Sequence, residues 1–345
     1  MNVLFLYSEA MGYTMATIKE IIRIYGVQVH LVHWDKKKNT PYLFPDMGDS
    51  FHSYKRSETG IEKIRNLIDA LEPKAIYCSG RMDKDYLKAC LYAKKKGITT
   101  VSGFDSQWHG SIKNKIQALF AYSLYRRYFD YAWISGSYQF EYVRRLGFAK
   151  NKILWNLYSA DTQKFQIETS PIKRFVFAGR FVPQKGILNL IEAFFKTLDI
   201  EKHDWELVLI GNGILKSQIP NHPKIKVSDF LQPDELAEEM KKGGVFVLPS
   251  LHEPWGVVVH EFACAGYPLI CSDAVGSATA FLKHFYNGFA FPKNDTSSLA
   301  QVMLRFINME TQQLNEMSKR SKIVSQVITN EVSALEFGKL LSNGN

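Results

Sequence analysis

Short apolar runs alternate with longer amphipathic stretches from the first residues of the chain. Val3–Tyr7 is an apolar run of strand length, Thr14–Tyr25 has helical periodicity, and Val27–Trp34 alternates as a second strand. The tract Lys36–Ser57 is polar, turn-rich and carries Pro41 and Pro45, so it reads as a surface loop. Helical stretches over 60–71, 83–96 and 112–129 then lead to apolar runs at Ala75–Cys78, Thr99–Gly103 and Tyr131–Ser135, and a helix over 139–146 closes this half. Such alternation predicts a parallel sheet with helices on both faces.

The segment Ile153–Phe165 (ILWNLYSADTQKF) passes from apolar to polar without a helical period and reads as the linker between two domains. Alternation then restarts, with strands at 174–179, 205–210, 224–228 and 289–291 and helices over 186–197, 233–242, 277–284 and 297–307. Within this half lies VFVLPSLHEPWGVVVHEFACAGYPLICSD (245–273), a strand, a polar loop, a short apolar helix and a second strand. Helical periodicity continues from Thr311 to Leu341. The expected organisation is α/β throughout: a Rossmann-like domain over 1–155, a second over 156–310, and terminal helices over 311–345. Two such domains predict a deep cleft faced by the carboxyl ends of both sheets.

Composition adds constraints. With 345 residues and 46% apolar content, each half is long enough to bury a core. No apolar run reaches the roughly 18–20 residues of a membrane span. The start MNVLFLYSEAMG lacks the basic flank and cleavage site of a secretory leader. Cys78, Cys90, Cys264 and Cys271 show no close pairing, so buried reduced thiols in a cytoplasmic protein are expected. Charge is uneven: residues 1–155 hold 24 Lys and Arg against 14 Asp and Glu, and the rest hold 19 against 20. A basic first half suits an acidic acceptor or an anionic membrane surface. Nucleic acid is disfavoured, because the cations are not interleaved with aromatics on a recognisable module.

Three groups of residues can carry chemistry. Arg180 and Lys185, in AGRFVPQKG between a strand and a helix, suit a polyanion: the fork of Arg and the point charge of Lys both match phosphate oxygens. Glu253 precedes the helix that opens near Trp255 and Gly256, and Glu261 lies inside it among apolar neighbours. Free N–H groups of Gly256, Val257 and Val258 would meet an anion between these carboxylates, and a carboxylate suits the paired hydroxyls of a sugar. Asp83-Lys84-Asp85 opens a Lys-rich helix and reads as a cap rather than a metal ligand. The stretch 112–129 (IKNKIQALFAYSLYRRYF) is expected to be a helix packed on the sheet, with an anionic membrane surface as the alternative.

GRFVPQKG, the LIGNG turn at 209–213, FLQPDEL at 230–236 and LPSLHEPWGVVVHEFACAGYPLICSD together resemble family 4 retaining glycosyltransferases of GT-B fold, whose signature is two glutamates separated by seven residues. The resemblance is strong over about 153–305 and weak before it. It implies that Arg180 and Lys185 hold the diphosphate of a nucleotide-sugar, that Glu261 binds the ribose, and that Glu253 contacts the donor sugar. Trp255, Gly256, Val257 and Val258 would supply backbone N–H groups, and Asp229, Phe230 and Leu231 would sit by the base. It further implies no metal or other cofactor for transfer, a UDP- or GDP-sugar donor, and a saccharide or lipid-linked acceptor in cell-surface polysaccharide or glycoconjugate synthesis. The final helix resembles one that returns to the first domain.

The first half departs from that pattern. Only Gly12, in SEAMGYT, stands where a glycine-rich turn is usual, and Phe104-Asp105 replaces a His-Asp pair, with His109 four residues on. Gly12 is a donor-binding candidate and Asp105 a catalytic one; the residues leave open whether Asp105 or His109 acts. A nucleotide-sugar 2-epimerase of the same fold and a non-catalytic nucleotide-sugar-binding subunit of a membrane-associated complex are the competing readings.

Overall fold

A computed structural model describes residues 1–35, 44–169 and 172–342, and the chain divides into two compact units, 1–159 with 330–345 and 160–329. In the first, apolar strands and amphipathic helices follow in the order β1 (Asn2–Tyr7), α1 (Gly12–Tyr25), β2 (Gln28–His33), β3 (Phe51–Lys55), α2 (Ile61–Leu71), β4 (Ala75–Cys78), α3 (Lys84–Lys95), β5 (Thr99–Phe104), α4 (Ile112–Leu119), β6 (Tyr131–Ile134), α5 (Ser137–Arg145) and β7 (Ile153–Leu154). The second holds α6 (Thr162–Phe165), β8 (Arg174–Ala178), α7 (Ile187–Ile200), β9 (Glu206–Ile210), β10 (Ile225–Ser228), α8 (Pro233–Met240), β11 (Val245–Leu248), α9 (Val257–Cys264), β12 (Leu269–Ser272), α10 (Ala278–Phe281), β13 (Gly288–Phe291), α11 (Thr296–Ile307) and α12 (Thr311–Ser325). The last helix, α13 (Asn330–Ser342), packs on α1.

Both sheets are parallel and doubly wound. The first runs β3-β2-β1-β4-β5-β6-β7 and the second β10-β9-β8-β11-β12-β13. Central strands such as β4, β8 and β11 are buried at every position, as a sheet covered on both faces requires. Strand order reverses between β1 and β4 in one sheet and between β8 and β11 in the other. At such a point neighbouring strands send their outgoing loops to opposite faces and a crevice opens at their carboxyl ends.

Four expectations need correction. The tract Lys36–Ser57 contains edge strand β3, paired with β2 from Val29↔Phe51 to His33↔Lys55; residues 36–43 lie outside the described ones. Its mixed polarity follows from its position, since an edge strand need not be apolar on both faces. The segment Ile153–Phe165, expected as the linker, does contain the boundary between the units at 159–160, but it is not irregular: it holds β7, which pairs with β6, and the single turn of α6, both too short to show a period. The helix expected over 277–284 is only α10, four residues long.

The fourth concerns 112–129, which is not one sheet-packing helix. Helix α4 ends at Leu119 and a π-turn follows at Tyr122–Arg126. Ala121, Tyr125 and Phe129, beyond α4, are buried in the core, but within α4 itself the side chains that turn inward are polar. Asn114 is buried and accepts the His109 N–H at 2.9 Å, and Gln117 accepts the Tyr142 hydroxyl at 2.7 Å. The apolar positions Ile112, Ile116, Leu119 and Phe120 are left exposed. Asp83 does cap α3, accepting the N–H groups of Asp85 and Tyr86 while also pairing with Arg56. All four cysteines are buried free thiols, and among the described residues no helix is long and apolar enough to cross a membrane.

Candidate functional site

The reversal of strand order in the second sheet places two loops side by side. β8 pairs with β11 through Phe175↔Val245 and Val176↔Phe246, so Gly179-Arg180 and Pro249–Glu253 leave the sheet at neighbouring points. The Leu251 and His252 N–H groups donate to the Gln184 carbonyl at 2.8 and 3.3 Å, which ties the loops together. Gly186, with φ of 65°, makes this approach possible: a Cβ there would collide with the Pro249 carbonyl oxygen.

Of the residues expected in this site, Lys185 and Glu253 are joined directly. The Lys185 ammonium is ion-paired to Glu253 Oε2, and the Ser250 hydroxyl donates to the same oxygen at 3.3 Å. Glu253 is almost wholly buried, so its charge depends on such partners. Its backbone is fixed from the other side, because Gly276 N–H donates to the Glu253 carbonyl at 3.0 Å and Ser277 N–H to the Trp255 carbonyl at 2.9 Å. Arg180, five residues before Lys185 on the loop after β8, is exposed.

Helix α9 starts at Val257, with Gly256 as its N-cap at φ of 89° and no side-chain cap. A Cβ on Gly256 would lie 2.9 Å from Glu253 Cγ, so glycine lets the Glu253 stem lie against the helix start. The opening N–H groups of a helix lack intrahelical acceptors and carry its positive pole. Gly256, Val257 and Val258, half-exposed, put that pole at the end of the loop whose Glu253 holds Lys185. The Trp255 indole is buried, packs edge-on to Phe281, and its Nε1 has no hydrogen-bond partner among the described residues.

Glu261 is half-exposed, one helical turn further on. The protein around it and then the charge of Asp161 push its pKa up to about 7. Asp161 and its neighbour His260 were not evident from sequence. His260 is fully buried, stacked on Phe281 with centroids 3.9 Å apart, accepts the Ala160 N–H on Nδ1 at 2.9 Å, and lies 2.9 Å from the Ser325 carbonyl through Nε2. Nε2 must therefore carry the proton, and burial holds the pKa down to about 4. Through Ala160, His260 sets the position of Asp161 beside Glu261. A lone histidine preceding Glu261, and an aspartate in a polar segment, gave no signal beyond residue type.

Phe230 is exposed and Leu231 half-buried just beyond β10. Asp229 accepts from Asn212 Nδ2 at 2.8 Å and pairs with Lys216, which joins this corner to the LIGNG turn. Gly12 and Asp105 belong to the first unit. Gly12 opens α1, and Asp105 leaves the carboxyl end of β5, exposed, with its pKa raised chiefly by the surrounding protein. The buried hydroxyls of Tyr7, Tyr77 and Tyr158 all feel its charge. His109 contributes its backbone N–H to Asn114.

Residues 160–324 match the family described as "Glycosyl transferases group 1". An uncharacterized glycosyltransferase of Methanocaldococcus jannaschii is 36% identical over 133 residues, 36% of this chain and 33% of that protein. A UDP-Gal:α-D-GlcNAc-diphosphoundecaprenol α-1,3-galactosyltransferase of Escherichia coli is 31% identical over 297 residues, 81% of this chain and 65% of that one. The chain thus spans less than two thirds of the length of these relatives. The crystal structure of Anabaena HepE in complex with UDP superposes with a TM-score of 0.75 at 15% identity over 100% of both chains. The lipopolysaccharide outer core galactosyltransferase WaaB superposes at 0.69 and 16% over 99% of each. Likeness at that identity shows a shared fold, α/β with two Rossmann-like parallel-sheet domains, the GT-B class that the sequence resemblance implies.

Proposed function

We propose that this protein is a retaining glycosyltransferase that moves a hexose from a UDP-sugar to a saccharide or lipid-linked saccharide in glycoconjugate synthesis. One observation supports the reading: Lys185 and Glu253 are ion-paired between the loops that leave β8 and β11, where strand order reverses, and the second of these loops leads straight into α9, the helix of Glu261. The preference for uridine rests on the names of the E. coli relative and of the UDP complex of HepE; GDP-sugars remain the comparison.

In this reading the donor diphosphate competes with Glu253 for Lys185. The ammonium turns to the phosphate with Arg180, and the opening N–H groups of α9 add to the field on the leaving group. Released from Lys185, Glu253 accepts hydroxyls of the transferred sugar. Glu261 accepts the ribose diol, and Phe230 with Leu231 flanks the base. The departing diphosphate takes the acceptor proton on the face from which it leaves, so the anomeric configuration is kept through an oxocarbenium-like state. The two cations supply the charge stabilisation, and no metal is needed. Asp105 in the basic first unit is the residue proposed to meet the reacting sugars there.

The test is incubation of the purified protein with UDP-hexoses and GDP-hexoses and a panel of saccharide and diphospholipid-linked acceptors. Transfer with an α-configured product, undiminished by EDTA, is expected. Epimerised donor without acceptor, or donor binding with no transfer to any acceptor, would overturn the reading in favour of the epimerase or the non-catalytic subunit.

A further inference from the structure

Helix α4 is built inside out, while the π-turn after it anchors the segment through buried Tyr125. Asn114 and Gln117 face the protein, whereas Ile112 is 78% exposed, Ile116 51%, Leu119 78%, Phe120 55% and Tyr122 70%. At about 100° per residue, Ile112, Ile116, Leu119 and Phe120 form one stripe about 100° wide, with Lys115 along one margin and Lys113 along the other. Single exposed apolar side chains are ordinary; four in one stripe on a helix held by polar anchors are not.

The charge around the stripe identifies what covers it. No Asp or Glu occurs between Asp105 and Asp130, while Lys113, Lys115, Arg126 and Arg127 all do. These four cations are exposed, and among the described residues none forms an ion pair within the protein. A second copy of the chain would bring the same four charges against themselves. An acidic bilayer instead takes the apolar stripe into its headgroup–acyl boundary and the flanking cations onto its phosphates.

We infer that α4 and the π-turn after it are the surface by which this protein docks on an anionic lipid bilayer. The helix lies flat, with Ile112, Ile116 and Leu119 inserted and Tyr122 at headgroup level. This gives a structural basis to a membrane partner that the proposed function leaves unlocated, and it stands on the exposed face rather than on the transfer chemistry.

Flotation of the full chain with phosphatidylcholine vesicles, with and without phosphatidylglycerol, tests it. Binding to the anionic vesicles only is expected, weakened by salt. Ile116→Ser with Leu119→Ser should reduce binding about tenfold or more, and Lys113→Glu with Lys115→Glu should do likewise. Both variants should keep the wild-type melting temperature and UDP-binding curve, which separates failure of docking from failure of the nucleotide site. Absence of wild-type binding to anionic vesicles would overturn the inference. So would undiminished binding of both variants, or an apolar variant that changes only the oligomeric state.

Discussion

The Lys185 ammonium sits on the Glu253 carboxylate, joining the loops that follow β8 and β11. Strand order in the second sheet reverses between these two strands. The cation proposed for the diphosphate and the carboxylate proposed for the sugar thus hold each other in the protein itself.

Glu253→Gln divides those roles. The amide keeps the size but not the charge, so Lys185 loses its competitor for phosphate. UDP should bind at least as tightly as to wild type by calorimetry, while the transfer rate falls about 100-fold or more through loss of sugar positioning. A parallel loss of UDP binding would mean that Glu253 serves the loop and not the reaction.

Glu261 makes donor affinity depend on pH. Its folded pKa is raised to about 7 from an ordinary value of 4.5. The proton it holds stabilises the fold most fully below pH 4.5, and that contribution is lost as pH rises through about 7. Above that pH the ionised, half-exposed group costs the second unit about 1–3 kcal/mol unless a ligand satisfies it. A ribose diol bonds best to the ionised form. UDP affinity should therefore rise between pH 6 and 8, and Glu261→Gln should bind weakly and flatten both profiles in thermal and calorimetric titrations.

His260 works the other way. Its pKa, held down to about 4 by burial, means that the unfolded chain binds a proton that the folded chain does not between about 4 and 6.5. Its contribution is complete above that window and fades as pH falls through it. His260→Ala also removes the acceptor for Ala160 and the contact with Ser325. A loss of about 2–4 kcal/mol is expected in denaturant unfolding of the second unit, with a weaker acid limb.

Gly186→Ala tests the loop junction. Its left-handed backbone and the Pro249 carbonyl leave no room for a Cβ. A cost of about 2 kcal/mol, or about 4–8 °C in the melting of the second unit, should come with weakened UDP binding. Normal binding would show that the Gln184 tether to Leu251 and His252 is dispensable.

The second unit was legible because its signals are local. An apolar run ending in Gly179-Arg180, a glycine before a helix, and two carboxylates with seven residues between them are spacings within one loop or helix start. What sequence did not reveal came from across the fold. Asp161 becomes relevant only because His260, a hundred residues on, binds the neighbouring N–H. Strand β3 lacked an apolar pattern because it lies at an edge. Helix α4 misled for a related reason: its apolar period was real, and only the anchors at Asn114 and Gln117 show that the period faces outward.

The central claim is that the second unit binds a nucleotide-diphosphate sugar through Lys185 and Glu261, and the shift in melting temperature with UDP and UDP-hexoses tests it most directly. A ligand at about 100 times its Kd should raise the wild-type transition by about 5–10 °C, and Lys185→Ala and Glu261→Ala should lose most of that shift, each measured from its own melting temperature without ligand. No shift with any UDP- or GDP-sugar, or equal shifts in both variants, would contradict it.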